Sequence, residues 1–334
     1  MGNPLIALYK QLPENRKQVI GHYFSGLKKI ARFGLELRFK VYEDLAGKNL
    51  VYLTPDEPDA GLIEYFFPGI TVTRVRTVWA WSLPACLRQH EKVMIAINPR
   101  LVWLLSGGIL TFPWIRQSLD LTTRAEEVLG TKWILREKKK AGKFEPLFST
   151  DQKDLDLFYD GMYVAYIKKR FAGAVFIKKV FFEKSLGTSS ELCMLKKDDL
   201  LVAGALFEFT GDRYVLLTLG VTDEALVKEG ATSALYYYGI CRARERGARY
   251  FDFGLSRPFI FDGVLNYKRR WGGELEKDRQ ANHVMYLKNI SRDGLIVPVG
   301  ERFRVLVSAE DEANRLLATE AGLETGPLPG PVSP

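Results

Sequence analysis

Between residues 190 and 254 the hydrophobic period changes from that of strands to that of a helix and back, which restricts the fold more than any other feature of the chain. Three apolar runs, SELCMLKK (190–197), LLVAGALFEFT (200–210) and RYVLLTLGV (213–221), are separated only by Asp198-Asp199 and Gly211-Asp212. Two-residue connections of this kind join antiparallel strands, so the runs read as a meander. The next stretch, GATSALYYYGICRARERG (230–247), spaces Ala234, Leu235, Tyr238 and Cys241 at helical intervals and ends on Gly247, a good helix stop. A further strand-like run, ARYFDFG (248–254), follows. Strand, helix, strand implies a right-handed crossover and a parallel pair. The expected fold class is therefore α/β, in the α+β sense of a mixed sheet.

The chain has 334 residues, 47% of them hydrophobic, which is enough for two domains. Its charge, 48 − 40 = +8, suits an anionic partner such as nucleic acid, a phosphorylated cofactor or anionic lipid; plain solubility is the alternative. Cys86, Cys193 and Cys241 lie far apart, with no zinc-type spacing and no disulfide framework, so they read as reduced, half-buried thiols. With only His22, His90 and His283, a histidine-based metal site is not expected, and GxSxG, HExxH and P-loop motifs are absent. The opening MGNPLIALYKQLPENRK has no uninterrupted apolar core and no Ser or Thr placed for myristoylation, so a cytoplasmic location is expected. The most apolar segment, LVWLLSGGILTFPWI (101–115), is shorter than the ~20 residues of a spanning helix and is broken by Gly107-Gly108 and Pro113. It reads as a buried strand–turn–strand element; a lip for a lipid-linked substrate, with peripheral membrane contact, is the weaker alternative.

Domains are expected at 1–140, 141–295 and 296–334. The first alternates a basic amphipathic helix (14–32) with strand-like KNLVYLT (48–54) and KVMIAIN (92–98). Thr131 to Lys143, TKWILREKKKAGK, reads as the linker, with Lys138-Lys139-Lys140 as a solvated helix end. Thr150-Asp151 can cap a helix running through DLDLFYDGMYVAYIKKRF. NHVMYLK (282–288) reads as a strand and SAEDEANRLLATEAG (308–322) as a helix, and the Pro- and Gly-rich end ETGPLPGPVSP is expected to be disordered.

Asp252-Phe253-Gly254 raises the question of a protein kinase. A kinase also needs a Gly-rich phosphate loop, a strand lysine after it and an HRD-type loop upstream, and none is present. The order of elements instead resembles the GNAT acyltransferase fold, and within it the FemAB-type branch of peptidoglycan interpeptide-bridge aminoacyltransferases and related polysaccharide-biosynthesis proteins. The matching residues are Phe158-Tyr159, Arg170, Ala231 through Leu235, YFDFG (250–254) and Asn266-Tyr267-Lys268-Arg269-Arg270-Trp271-Gly272. The resemblance spans about 150–275. It implies tandem GNAT-like units, with a degenerate unit in the first half.

That resemblance implies transfer of an acyl or aminoacyl group to an amine of a cell-envelope or polysaccharide precursor, with no metal or other cofactor required. Leu219, Gly220 and Val221 would offer backbone groups to the donor, Gly230, Ala231 and Thr232 would start the helix whose N–H groups face an anion, and Tyr267 would flank the donor. The run Val227-Lys228-Glu229-Gly230-Ala231-Thr232 departs from the Q/R-x-x-G-x-G/A cradle for the coenzyme A pyrophosphate. The donor is thus either aminoacyl-tRNA or acyl-CoA. Lys268 would stabilise charge developing on the carbonyl, and Asp252 would accept a proton from the amine or else hold the N–H groups of its own loop. Arg170 would clamp an acceptor phosphate or carboxylate, with Tyr163 and Tyr166 stacking on a sugar. Arg242, Arg244, Arg246 and Arg249 form a basic stripe, either a solvated face or a rest for a tRNA backbone. Two alternatives stay open: a CoA-dependent N-acetyltransferase on an amino sugar or small amine, and an inert GNAT scaffold that binds RNA or an envelope assembly partner.

Overall fold

The computed structural model describes residues 38–44, 50–54, 72–170, 177–277, 283–290, 294–299, 302–307, 318–319 and 323–327. The helix expected at 14–32 lies outside the described residues, as does 308–322 apart from Ala318 and Thr319.

Two compact units divide the chain. The first takes in residues 1–58, 70–108 and 285–290. Its strands are β1 (Arg38–Asp44), β2 (Leu50–Thr54), β3 (Val72–Trp79) and β4 (Lys92–Ile97), with helix α1 (Leu83–Gln89) between the last two. β1 runs antiparallel to β2 and β3, while β2 and β4 are parallel. The expected strand near 282–288 is present as Val284–Lys288, beside β4.

The second unit takes in 59–69, 109–284 and 291–334. In chain order it contains β5 (Ile109–Thr111), β6 (Ile115–Asp120), α2 (Ala125–Leu129), α3 (Lys132–Ala141), β7 (Glu145–Ser149), α4 (Gln152–Phe158), α5 (Val164–Arg170) and α6 (Lys179–Ser185). β8 (Ser190–Lys197), β9 (Leu200–Thr210), β10 (Arg213–Val221), α7 (Glu224–Glu229), α8 (Ala231–Glu245), β11 (Tyr250–Ser256), α9 (Gly263–Arg270) and β12 (Glu274–Glu276) follow. The main sheet has the order β12-β6-β11-β10-β9-β8-β7. β8, β9 and β10 form the expected antiparallel meander, and β10 and β11 form the expected parallel pair joined through α8. Asp198 and Asp199 both have positive φ, as a tight two-residue hairpin turn requires. The fold is mixed α/β.

Several expectations are corrected. Thr131–Lys143 is no linker: Thr131 Oγ1 caps Ile134 N–H, and Ile134, Glu137 and Ala141 turn a buried face that packs along α8. The boundary expected at residue 140 therefore falls inside the second unit, which also draws in β6 as the neighbour of β11. Pro99–Leu104 is a 3₁₀ helix capped by the Asn98 side chain, and Trp103 is exposed, so the expected strand character begins only at β5. Glu324–Pro327 is not disordered but pairs parallel to strand Arg302–Val307. The helix capped by Asp151 is regular only to Phe158, since Tyr159–Tyr163 make a π turn before α5 resumes. Among the described residues no helix is long and apolar enough to cross a membrane.

Asp252-Phe253-Gly254 proves to be a bulge. Asp252 pairs with Ser118 of β6 and Leu255 with Arg116, so two residues of β11 stand opposite the single Gln117. Gly254 adopts φ +73°, and a Cβ there would stand 2.9 Å from the Leu216 carbonyl oxygen. Only glycine fits both the left-handed backbone and that approach. Gly254→Ala is expected to lower the unfolding free energy by about 2 kcal/mol, read as a fall in the urea midpoint at constant m-value. An unchanged midpoint would show that the bulge does not need glycine.

Candidate active site

A cavity opens beside the bulge, where β10 also shifts register between Leu216 and Thr218. β10 and β11 pair only at Arg213↔Tyr250, Tyr214↔Phe251 and Val215↔Asp252. Beyond the last pair, Leu216 to Leu219 of β10 and Phe253 to Leu255 of β11 line a cavity of about 620 Å³. Helix α8 contributes Thr232, Ser233 and Tyr236, α9 contributes Val264, Tyr267, Lys268 and Arg270, α5 contributes Tyr166 and Ile167, and α3 contributes Trp133, Glu137 and Lys140. The site lies at the carboxyl end of a parallel pair, where open sheets bind ligands.

Lys268 is buried at the cavity wall, and its Nζ donates to the Leu255 carbonyl at 2.7 Å. Asp262 caps the start of α9 through Leu265 N–H at 2.7 Å, so the helix that carries the lysine has a fixed origin. Burial pulls the Lys268 ammonium down to about 7, against the favourable charges of Asp252 and Asp262, while Arg116 adds to the fall. An amine in this state exchanges its proton near neutrality, which suits both charge stabilisation and proton transfer.

Asp252 is not at the cavity wall. It is fully buried; Oδ1 accepts Gly254 N–H at 2.8 Å, and Oδ2 pairs with Arg116 Nη1 at 2.8 Å and lies 3.6 Å from Arg213 Nη1. A carboxylate so engaged holds the bulge and has no oxygen turned to a substrate. Of the two roles open to it, the geometry matches the loop-holding one.

The expected donor residues separate. Leu219, Thr232 and Tyr267 line the cavity, whereas Gly220, Val221, Gly230 and Ala231 do not. Gly220 instead lets the π turn approach β10: a Cβ there would stand 2.6 Å from the Met162 carbonyl carbon and Tyr163 nitrogen. Val221 and Ala231 are buried in the core. Gly230, which ends α7 and precedes α8, has the Lys140 side chain against it, 2.8 Å from where its Cβ would be. The acceptor residues divide too. Tyr166 lines the cavity, but Tyr163 is buried among Phe158, Met162 and Phe182, its Oη accepting Ile177 N–H at 3.1 Å. Arg170 ends α5, and its side chain lies outside the described residues. The arginine stripe is matched by carboxylates: Arg242 forks onto buried Glu191, Arg246 lies 3.6 Å from Glu191, Arg244 pairs with Glu126, and Arg249 lies 3.9 Å from Asp120.

Sequence reasoning missed Glu137, Lys140 and Ser233. Glu137 is buried, pairs with Lys140 Nζ at 2.6 Å and accepts the Ser233 hydroxyl, while Ser233 Oγ lies 2.8 Å from Tyr267 Oη. The helical spacing of Ile134, Glu137 and Ala141 was the available signal, overshadowed by the lysine run beside it.

Residues 131–269 match a family model described as an acetyltransferase (GNAT) domain. The match starts at the cap of α3 and includes every cavity-lining residue except Arg270. This part of the chain is GNAT-like. Similar solved structures include FemX (15% identical, 72% of this chain and 81% of that chain, TM-score 0.43). L-PGS from Bacillus licheniformis is another (10% identical, 85% and 88%, TM-score 0.42). A third is the ribosomal-protein-S18-alanine N-acetyltransferase from Escherichia coli (16% identical, 45% and 97%, TM-score 0.30). No curated protein sequence matches the chain.

The lowered Lys268 value has a signed consequence for stability. Its amine gives up a proton near pH 7 when folded but near 10.5 when unfolded, so the unfolded chain holds more protons between those values. Stability from this group rises with pH across that window. Lys268→Met removes the penalty of burying a charge, so the variant's Tm relative to the parent is expected to be most favourable below pH 7 and to decline towards pH 10. A Tm difference independent of pH would show that Lys268 keeps an ordinary amine.

Proposed function

We propose that the second unit is an acyltransferase that moves an acyl or aminoacyl group to an amine of a cell-envelope or polysaccharide precursor. The GNAT match over every cavity-lining residue but Arg270 supports the reaction type. In this reading the donor carbonyl lies in the opening between β10 and β11, flanked by Leu219 and Tyr267, and the Lys268 ammonium stabilises the oxyanion formed when the amine attacks. A cation held in a dry wall is effective there because little solvent screens it. The acceptor class comes from the sequence resemblance to FemAB-type proteins, and Tyr166 and Arg270 are the cavity residues suited to a sugar and an anion.

The observation that carries the choice of donor is the Glu137 carboxylate at the first turn of α8. A helix start presents free N–H groups and attracts anions. In this chain α3 covers that start, with Glu137 bonded to Ser233 and Lys140 against Gly230. The Glu137–Lys140 pair stands where a coenzyme pyrophosphate would rest, and its carboxylate already takes the Ser233 hydroxyl, so that helix start offers a diphosphate less than an open one would. We therefore favour an aminoacyl ester of tRNA as donor. The second reading, a CoA-dependent N-acetyltransferase, is favoured by the description of the matched family model itself.

Calorimetric titration separates the two. Charged tRNA is expected to bind with an affinity that falls steeply with salt, and acetyl-CoA is expected not to bind at micromolar concentration. Micromolar binding of acetyl-CoA would move the second reading to first place, and binding of neither donor would overturn both. With the donor that binds, Lys268→Ala is expected to lower kcat by about 100-fold or more with the circular dichroism spectrum unchanged. The parental rate should also decline as pH rises above about 7, where Lys268 loses its charge. Parental turnover in Lys268→Ala would remove the lysine from this role.

A further inference from the structure

We propose that Tyr267, Ser233 and Glu137 form a proton relay that accepts the proton released by the attacking amine; this rests on the acyl-transfer reading above. The direction of the chain follows from valence. A carboxylate paired with an ammonium, as Glu137 is with Lys140, can only accept hydrogen bonds. Ser233 must spend its single proton on Glu137, so at the 2.8 Å contact its lone pair accepts from the Tyr267 hydroxyl. The order is Tyr267 to Ser233 to Glu137, running from α9 through α8 to α3. All three residues line the cavity. Burial pushes the Tyr267 phenol up, so it holds its proton at neutral pH and is ready to donate.

The arrangement is costly as a packing device alone. Ser233 and Glu137 are both buried at the junction of α3 and α8, where apolar side chains would pack without desolvating a hydroxyl and a charge. Its chemistry balances with what is present. The amine nitrogen bonds to the donor carbonyl carbon, and the carbonyl π electrons move to oxygen. The nitrogen then gives a proton to Tyr267 Oη as the tyrosine proton passes to Ser233 and the serine proton to Glu137. When the tetrahedral adduct collapses, the bond to the leaving oxygen or sulfur breaks. The same chain in reverse protonates that atom and returns Glu137 to its carboxylate. One proton has moved from nitrogen to the leaving group, and no oxidant or further reactant is needed. Tyr267 meets the substrate; Ser233 and Glu137 act through it as positioning residues.

The test uses the full chain with charged tRNA and, in parallel, acetyl-CoA as donors, and with glycinamide or hydroxylamine as acceptors. Glu137→Gln keeps the shape and an acceptor oxygen but cannot take the proton, while Ser233→Ala breaks the chain and leaves Glu137 paired with Lys140. With glycinamide, each is expected to lower kcat roughly 100-fold with KM changed less than about 2-fold, and the double variant is expected to be no worse than either single one. Hydroxylamine, whose adduct loses its proton readily to water, is expected to reduce each defect to under about 10-fold. Tm values near that of the parent keep misfolding out of the comparison. Multiplying losses in the double variant, or equal losses with both acceptors, would overturn the relay while leaving acyl transfer standing. If the parent protein discharges neither donor, the acyl-transfer reading falls and takes the relay with it.

Discussion

The buried Asp252 carboxylate is the constraint on which the site depends. One oxygen takes Gly254 N–H and the other takes Arg116, and together they hold the strand in a bulge. Register breaks stand on both strands where the opening begins, in β11 between Asp252 and Leu255 and in β10 between Leu216 and Thr218. Pairing stops after Val215↔Asp252 and the next residues of both strands line the cavity. A buried charge is tolerated only when paired and hydrogen-bonded, and Asp252 has both kinds of partner. The same carboxylate helps to hold charge on Lys268, so one group shapes the cavity and tunes its lysine.

The second organising contact is α3 on α8. Lysines at the exposed end of α3 suit its dipole, as the sequence suggests, but the buried side of the same helix carries a glutamate into the cavity. That placement covers a helix start that would otherwise be an open anion site. It also gives the cavity lining two contrasting groups. Lys268, on α9, has its amine lowered by burial, and Glu137, on α3, is held by Lys140 and Ser233. A cavity lined by both an amine and a carboxylate can take a proton from one atom and return it to another.

Much of the second unit was legible in the sequence. The meander, the crossover helix and the parallel pair follow from local period and turn residues, and these depend on neighbours a few residues away. Lys268 and Tyr267 could be singled out only through the resemblance to FemAB-type proteins, which rests on a short local run of residues. The misreadings have a common cause. TKWILREKKKAGK reads as a linker because its charge is conspicuous, whereas Ile134, Glu137 and Ala141 acquire meaning only when α8 lies beside them. The start of the segment 101–115 reads as strand because apolar content alone does not separate a short strand from a 3₁₀ turn.

The sequence by itself determined the meander β8 to β10, the crossover helix α8 and the strand β11 that pairs parallel to β10. The tertiary structure decided which polar groups face the cavity and which are consumed in holding it open. Asp252 finds Arg116 136 positions away, and Ser233 finds Glu137 96 positions away. Periodicity and turn chemistry are short-range and can be read along the chain. The pairing of a buried charge depends on which distant element packs against it, because only that packing removes the water it would otherwise bind.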